Sequence, residues 1–411
     1  MIKKIILFIE SPYSTRDHKR FGVEILTQNG FQIEIWDFSN IFYPNLDLKL
    51  YDNFEFAGLK KFYSKNEVID AISKLTSEDM IITWFHYRHF EYLWIYRSIS
   101  KWKIPYSVLQ FTAVPYFGKS LMSKVTGFKN RPISRFRIFL KRLYTFIVFR
   151  KWWIVKKYFY FFIERIFVRI PFRFFGVRAA FFWFAGTELS MKVYKLPVDC
   201  NTKIVSIHAF DYDLFLERKD QKTVQWPKTA IFLDEYLPFN EEFIMFKETQ
   251  LVSADKYYSS LCQFFDLVER EQGLQVEIAA HPRSHYDRHP DYYGARNTYF
   301  GKTIDLVKDA RLVITHCTTS LNYAVLYYKP VIFVITDEMV GKKWTGFVYD
   351  LAASIGKVPI NIDQNYDIDW GKELTVDKKR YDEFKNLFIK KAGTKELNSW
   401  QIVADSIKGL A

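Results

Sequence analysis

The chain has 411 residues, of which 49% are apolar, and a formal net charge of +13. Its length exceeds that of one ordinary domain, so we expect two or three domains. Aromatic residues make up 19% of the chain, which excludes wholesale disorder. The three cysteines are far apart and form no CxxC pair. The sequence therefore predicts neither a zinc site nor a disulfide framework, and it is compatible with a reducing compartment.

The first 125 residues alternate short apolar strands with helical stretches. The apolar run at 5–9 is too short for a signal peptide and is closed by Glu10, so we interpret it as the first strand. The alternation predicts a parallel sheet with helices on both faces, a Rossmann-like domain. Because such sheets bind ligands at their strand ends, Glu10 is a candidate site residue. Further strand patterns lie at 31–36, 80–85 and 106–111, and a helical pattern lies at 66–76.

Residues 126–190 form a basic, aromatic segment. Between 134 and 184 there are twelve basic residues and one acid, Glu164, so this part supplies +11 of the net charge. Cations that meet anionic headgroups, with aromatic rings at the boundary, are typical of a helix in a membrane interface. The alternatives are a helical hairpin packed on its own protein and nucleic-acid binding. We expect no nucleic acid, because no binding motif accompanies the segment. No run of about 18 uncharged apolar residues occurs, so no transmembrane helix is expected.

After a connection at 191–225, residues 226–376 repeat the alternation and predict a second Rossmann-like domain. Its long helical pattern at 253–273 is closed by a glycine, as a helix C-terminus should be. Neither GxxxxGK(S/T) nor GxGxxG occurs, so the common phosphate loops are absent. The tail at 377–411 is predicted to be helical and to cross back to the first domain.

Three polar clusters each follow a predicted strand of the second domain. Because the carboxyl ends of parallel strands lie at one edge of a sheet, we expect the clusters to converge on one ligand. They are Asp234 and Glu235 after AIFL; His281, Pro282 and Arg283 after VEIAA; and His316, Thr318, Thr319 and Ser320 after LVIT.

Each cluster has a chemical use. Hydroxyls at a helix N-terminus favour a phosphate, although serine and threonine are also ordinary N-caps. His281 can protonate a phosphate oxygen and Arg283 can bind a carboxylate or phosphate, with an ordinary loop as the alternative. Asp234 or Glu235 can serve as a general base, serve as a nucleophile or orient a cytosine amino group, or can be a surface acid at a turn.

Together the motifs resemble those of bacterial GT-B glycosyltransferases that use CMP-activated sugars, the sialyltransferase-like and Kdo-transferase-like group. The order FLDEYLP, AAHPR and HCTTS, within roughly residues 228–340, is similar to the acidic, His-Pro and Ser/Thr motifs of that group. The resemblance implies two Rossmann-like domains that face a cleft. The chain departs from the family pattern at Tyr236, where a glycine is usual.

By this resemblance, His281-Pro282 would bind the CMP phosphate and assist its departure, and residues 318–320 would hold the same phosphate. The base would be Glu10 in an inverting enzyme, and the nucleophile would be Asp234 in a retaining one, so the stereochemistry stays open. The donor leaves as a nucleoside monophosphate, so the family's chemistry implies no metal. Asp211-Tyr212-Asp213 matches the DxD pattern of metal-dependent glycosyltransferases, which is the alternative.

The resemblance predicts a cytoplasmic transferase, peripheral on the inner face of the bacterial plasma membrane. It would move an acidic ulosonic sugar of the sialic, legionaminic, pseudaminic or Kdo type from CMP to a lipopolysaccharide, O-antigen or capsule acceptor that is lipid-linked. No cofactor is expected. Two alternatives stay open: a UDP- or GDP-sugar transferase of the same architecture, with Glu338 on the ribose, and a non-catalytic membrane-associated scaffold.

Overall fold

Two parallel sheets form the centres of the two domains. The greater part of the basic segment, and with it the predicted interfacial helix, lies outside the residues that the structure describes. Of the helices that it does describe, none is long and apolar enough to cross a membrane. The structure is a computed structural model that describes residues 1–44, 54–85, 90–111, 169–187, 189, 196–222, 227–240, 250–364 and 367–410.

The first sheet has the strand order β3-β2-β1-β4-β5-β6-β7, with every pair parallel. One of its interior strands carries the unbroken apolar run at 5–9, which is buried on both faces, and such runs are typical of covered parallel sheets. The strands are β1 (Lys4–Ile9), β2 (Gln32–Asp37), β3 (Leu59–Lys61), β4 (Asp79–Thr83), β5 (Tyr106–Gln110), β6 (Phe182–Ala185) and β7 (Lys203–Ser206).

Short helices connect the strands of this sheet. Ser14 and Ser64 begin two of them, because each side chain accepts a hydrogen bond from a backbone N–H of the first turn and so satisfies a donor that the helix leaves unpaired. The helices are α1 (Thr15–Arg20), α2 (Val23–Gln28), α3 (Ser39–Phe42), α4 (Lys65–Ser73) and α5 (Leu93–Lys101).

The second sheet has the order β10-β9-β8-β11-β12-β13, again parallel. The predicted α/β architecture of two Rossmann-like domains is confirmed. The strands of the second sheet are β8 (Thr229–Leu233), β9 (Gln275–Ala279), β10 (Thr298–Tyr299), β11 (Leu312–Thr315), β12 (Val331–Ile335) and β13 (Ile360–Asn361). The remaining helices are α6 (Phe210–Arg218), α7 (Ala254–Gln272), α8 (Thr303–Asp309), α9 (Leu321–Leu326), α10 (Lys343–Ser354), α11 (Trp370–Glu373), α12 (Lys378–Phe384) and α13 (Ser399–Lys408).

The first domain extends beyond the predicted boundary at residue 125. Strands β6 and β7 pair within the first sheet, although the sequence predicted a membrane-associating segment at 126–190 and a connection at 191–225. The sequence of β6, FWFA, continues an aromatic run and shows no alternation, and β7 has four residues. The chain therefore passes to the second domain after Ser206.

The tail divides between the two domains. Tyr381 and Phe384 of α12 lie in the core of the second domain, whereas Trp400 of α13 lies in the core of the first. The Trp400 indole N–H donates to the carbonyl of Arg20 at 2.8 Å. Gly22 lies against this ring with φ +60°, and a Cβ there would be 2.1 Å from the indole Cγ. The contact therefore requires glycine at this position.

Gly22→Ala should lower the free energy of unfolding by about 2–4 kcal/mol, because the new methyl meets the indole and the left-handed backbone is strained. Gly30→Ala is the matched control, since Gly30 has φ +89° and open space around its Cα. It should lose about 1–2 kcal/mol from backbone strain alone. Urea unfolding measures both variants, and equal losses would contradict the close approach.

Candidate active site

The three polar clusters of the second domain follow three adjacent strands. Strand β8 lies between β9 and β11, and all three run in the same direction. Residues 234–235, 281–283 and 316–320 therefore leave the sheet at one edge. Hydrogen bonds between the clusters fix their relative positions, and most of them involve the acid pair.

The acid pair after β8 connects the two neighbouring strand ends. Asp234 Oδ2 accepts the backbone N–H of His281 at 3.1 Å, and Glu235 Oε1 accepts the backbone N–H of Cys317 at 2.5 Å. Asp234 Oδ1 accepts the Tyr293 hydroxyl at 2.9 Å and the Tyr236 backbone N–H at 2.8 Å. The acid pair thus holds the loops on both sides of β8.

Asp234 is enclosed in the protein. It is 5% exposed and both of its oxygens accept hydrogen bonds. Burial raises its pKa, and its donors act against that rise. In this structure the carboxylate is directed at protein donors and positions the loops, and its role as a nucleophile stays a prediction. Glu235, 8% exposed, has the same role through Cys317.

The residue after the acid pair has left-handed backbone. Tyr236 has φ +52°, which an ordinary side chain seldom adopts. Tyrosine therefore has left-handed backbone at the position where the resembled motif usually has a glycine. Its buried ring packs edge-to-face on Tyr286, with centroids 5.3 Å apart, and this packing offsets part of the backbone strain.

The His-Pro-Arg segment ends β9 in a tight turn. Ser284 donates its backbone N–H to the carbonyl of His281 at 2.9 Å and its hydroxyl to the same oxygen at 2.7 Å. Pro282 occupies the second position of this four-residue turn, where its fixed φ is favourable. The backbone N–H of Arg283 donates to His281 Nδ1 at 3.3 Å. This turn therefore ends β9 and fixes the orientation of the His281 imidazole.

The turn determines which nitrogen of His281 faces a ligand. Since Nδ1 accepts the Arg283 N–H, the neutral ring carries its proton on Nε2. No hydrogen bond joins Nε2 to another residue that the structure describes, and Nε2 is not enclosed. Burial lowers the pKa of His281 to about 4, helped by the positive charges of Arg283 and Arg16. The free protein therefore presents a neutral N–H donor at pH 7.

His316 does not take part in the site, contrary to expectation. The residue is fully buried; its Nδ1 lies 2.5 Å from the carbonyl of Val334 and its Nε2 lies 2.9 Å from the Tyr257 hydroxyl. A carbonyl accepts hydrogen bonds, so Nδ1 carries the proton and Nε2 accepts from Tyr257. Burial lowers its pKa to about 4. His316 is a core residue that ties β11 to β12 and α7.

The hydroxyl residues lie on the turn that opens α9. Thr319 is exposed, Thr318 and Ser320 are half-buried, and the Ser320 side chain makes no capping hydrogen bond. Thr318 Oγ1 accepts the backbone N–H of Ser320 at 3.2 Å. Because α9 has six residues, its dipole is weaker than expected for a longer helix. The hydroxyls, more than the helix, are what this loop offers to an anion.

Glu10 lies at the end of β1 in the first domain. Its Oε2 accepts a hydrogen bond from the hydroxyl of Tyr92. Burial and the neighbouring Glu10 raise the pKa of the Tyr92 hydroxyl, which keeps it a donor to the carboxylate. The carboxylate is therefore held in one orientation at a strand end.

The DxD-like aspartates serve separate structural contacts. Asp211 accepts from the Asn322 side-chain amide at 2.7 Å and from the Tyr323 hydroxyl at 3.0 Å. Asp213 accepts the backbone N–H of Ser399 at 2.7 Å, and burial raises its pKa to about 8. Asp211 therefore ties α6 to α9, and Asp213 ties α6 to the start of α13. Within the described part of the chain, no group of three metal-ligating side chains occurs.

Two arginines of the first domain were missed by the sequence analysis. Arg16 and Arg20 lie four residues apart on α1, so they share one helix face. The guanidinium carbon of Arg20 is 4.5 Å from the centroid of the Phe210 ring on α6, and the charge of Arg16 reaches His281. The available signal was the pair of arginines in TRDHKR, soon after the first strand ends.

No family model matches the sequence, and no curated protein sequence is significantly similar to it. Solved structures are similar in chain path. The calicheamicin glycosyltransferase CalG4 has a TM-score of 0.49 at 11% identity, covering 100% of this chain and 98% of its own. The glycotransferase of kitacinnamycin has 0.47 at 8%, covering 99% and 98%. A putative UDP-N-acetylglucosamine 2-epimerase from Listeria monocytogenes has 0.45 at 11%, covering 99% and 95%.

Asp234→Ala should lower the free energy of unfolding by about 3 kcal/mol or more, because it removes the acceptor of the Tyr236 and His281 backbone N–H groups and one acceptor of the Tyr293 hydroxyl. Tyr293→Phe removes one of these hydrogen bonds and should lose about 1 kcal/mol. Urea unfolding of both variants measures the difference. A loss no greater for Asp234→Ala than for Tyr293→Phe would show that the carboxylate does not hold the loops.

His281 should titrate near pH 4 in the ligand-free protein. Its folded-state pKa lies below the ordinary value of about 6.5, so folding favours the neutral ring. The resulting stability is present above pH 6.5 and is lost as the pH falls to about 4. NMR titration, with His281→Gln for assignment, measures the pKa. The variant should lose less stability than the wild type over this interval, and a midpoint near 6.5 would contradict the enclosed ring.

Proposed function

We propose that the chain is a glycosyltransferase that transfers an acidic ulosonic sugar from a CMP-activated donor. The arrangement at the ends of β9, β8 and β11 supports this best. The Nε2–H of His281 and the hydroxyls at 318–320 are polar groups at one sheet edge, while the acid pair between them is used to hold the loops. Hydrogen-bond donors at adjacent strand ends are suited to a phosphate.

The proposed reaction breaks the bond between the sugar's anomeric carbon and a phosphate oxygen of CMP. The electron pair of that bond stays on the phosphate, and an acceptor hydroxyl forms the new bond to the anomeric carbon. A phosphate beside His281 raises the pKa of the imidazole, because negative charge favours imidazolium. His281 then holds a proton for the departing phosphate. The acceptor's proton goes to Glu10 in an inverting reaction, for which the first domain supplies the base.

An acidic sugar accounts for the second cation beside His281. The Arg283 guanidinium lies close enough for its charge to lower the pKa of the imidazole. A donor with one phosphate and one carboxylate presents two negative groups to this corner, and a guanidinium can bind a carboxylate through two parallel hydrogen bonds. We therefore assign the phosphate to His281 and the sugar carboxylate to Arg283.

We propose a lipid-linked acceptor of the lipopolysaccharide, O-antigen or capsule type and attachment to an anionic membrane surface. The support is the basic, aromatic segment, whose described end carries exposed rings beside cations: Phe174 is 81% exposed and Phe181 is 41% exposed. Aromatic rings next to arginines favour an interface between water and lipid. Attachment to the inner face of the plasma membrane rests on the same residues.

A UDP- or GDP-sugar transferase is the second candidate, with the same phosphate subsite. In that case Glu338 was expected to bind the ribose. Its carboxylate accepts the backbone N–H of Ser253 at 2.8 Å and the hydroxyl of Ser253 at 3.0 Å. Glu338 therefore holds the start of α7, and this contact gives the second candidate no further support. Binding measurements with CMP, UDP and GDP distinguish the two candidates.

CMP should raise the melting temperature of the protein in the presence of a metal chelator, and UDP and GDP should raise it less. His281→Ala should weaken CMP binding about tenfold, the loss expected for one charge-assisted hydrogen bond. His289→Ala, an exposed histidine of the same loop, is the control and should bind CMP like the wild type. Thermal shift and calorimetry measure both effects. Stabilisation by UDP alone would overturn the CMP assignment, and unchanged cellular function of His281→Ala would favour a scaffold.

A further inference from the structure

Arg16 and Arg20 form an unusual pair of cations on α1. They are four residues apart on a helix of six residues, a spacing at which like charges repel. Both side chains are exposed. Among the residues that the structure describes, neither guanidinium is in an ion pair. The carboxylate of nearby Asp17 accepts the Ser14 hydroxyl at 2.7 Å at the start of the helix.

Arg20 lies beside the point where the chain enters the second domain. Its guanidinium lies over the Phe210 ring at the start of α6. The next residue, Asp211, accepts hydrogen bonds from Asn322 and Tyr323 of α9, the helix that the hydroxyl turn opens. These contacts link the end of α1, through the start of α6, to α9.

The charges of the pair act on residues of the second domain. The charge of Arg16 adds to the effect of burial in lowering the pKa of His281. Burial raises the pKa of the Tyr323 hydroxyl, and the charges of Arg20 and Arg16 act against that rise. Surrounding protein and repulsion from Arg16 lower the pKa of Arg20, whereas the carboxylates of Asp211 and Asp17 act in the opposite direction. Two neighbouring cations that repel each other are stabilised when an anion binds between them.

We propose that Arg16 and Arg20 form a subsite in the first domain for a second oxyanion, separate from the donor phosphate at His281. The ligand is a carboxylate or a phosphate: either the phosphate of a lipid-linked acceptor or the donor carboxylate, which the pair would then share with Arg283. This inference rests on the proposed function for the identity of the substrates. The subsite itself rests on the spacing of the two arginines on α1, on their lack of an ion pair among the described residues, and on the contact of Arg20 with the start of α6.

The first test uses the imidazole of His281 as a reporter of the charge on Arg16, and inorganic phosphate as the ligand. Arg16→Ala removes a repelling charge, so the pKa of His281 in the free protein should rise. In a His281→Ala background, which removes the donor-phosphate contact, inorganic phosphate should still bind in calorimetry, and Arg16→Ala should weaken that binding about tenfold, the effect of one lost charge-assisted contact. Lys19→Ala removes an exposed cation from the same helix and should leave both quantities unchanged.

The second test distinguishes the two sources of the anion by calorimetry. If Arg16→Ala weakens binding of a CMP-linked sialic acid about tenfold and leaves CMP unchanged, the subsite binds the donor carboxylate. If it weakens a short-chain prenyl phosphate and leaves both CMP ligands unchanged, the subsite binds the acceptor. Arg20→Gln serves as the second variant, because it keeps a planar group over Phe210.

The proposed function and the subsite fail in different ways. If the wild type binds no CMP ligand, the CMP assignment fails, and the phosphate titration still decides the subsite. If Arg16→Ala binds phosphate, the CMP ligands and the prenyl phosphate like the wild type, the subsite is overturned while the transferase stands. Equal weakening by Lys19→Ala and Arg16→Ala would also overturn it, because the effect would then be one of overall charge.

Discussion

The site depends on one pair of hydrogen bonds at the end of β8. Asp234 accepts the backbone N–H of His281, and Glu235 accepts that of Cys317, so two adjacent carboxylates fix the loops on either side. Each carboxylate gains charge-assisted hydrogen bonds that offset its burial. Both carboxylates therefore serve to hold the two loops in place. What remains accessible to a substrate is the imidazole edge of His281 and the hydroxyls beyond it.

Burial determines the charge state of this corner. The second domain offers a neutral donor at this corner, because His281 is neutral at pH 7. Positive charge comes from the rim, through Arg283 and, across the domain boundary, Arg16. A site of this kind adjusts when an anion arrives, since the ligand itself raises the proton affinity of the imidazole.

The sequence predicted secondary structure well where the signal is local, as in the hydrophobic periodicity of a strand or the glycine that ends a helix. The unbroken run of β1 and the glycine after α7 were predicted correctly, as was the order of elements in the second domain. Strand β6 was missed because FWFA lies in an aromatic run without alternation. The site was harder to predict. Motif order placed His281 at a strand end, but the burial of Asp234 and His316 and the approach of Arg16 depend on contacts between residues far apart in the chain.

The return of α13 to the first domain has a consequence for the order of folding. Trp400 completes the core that β1 and α2 begin, so a segment made after the second domain is needed by the first domain. Domains commonly fold as they emerge during synthesis. Here the first sheet leaves apolar surface uncovered until α13 has been made, and the nascent chain exposes that surface to chaperones while the second domain is being made.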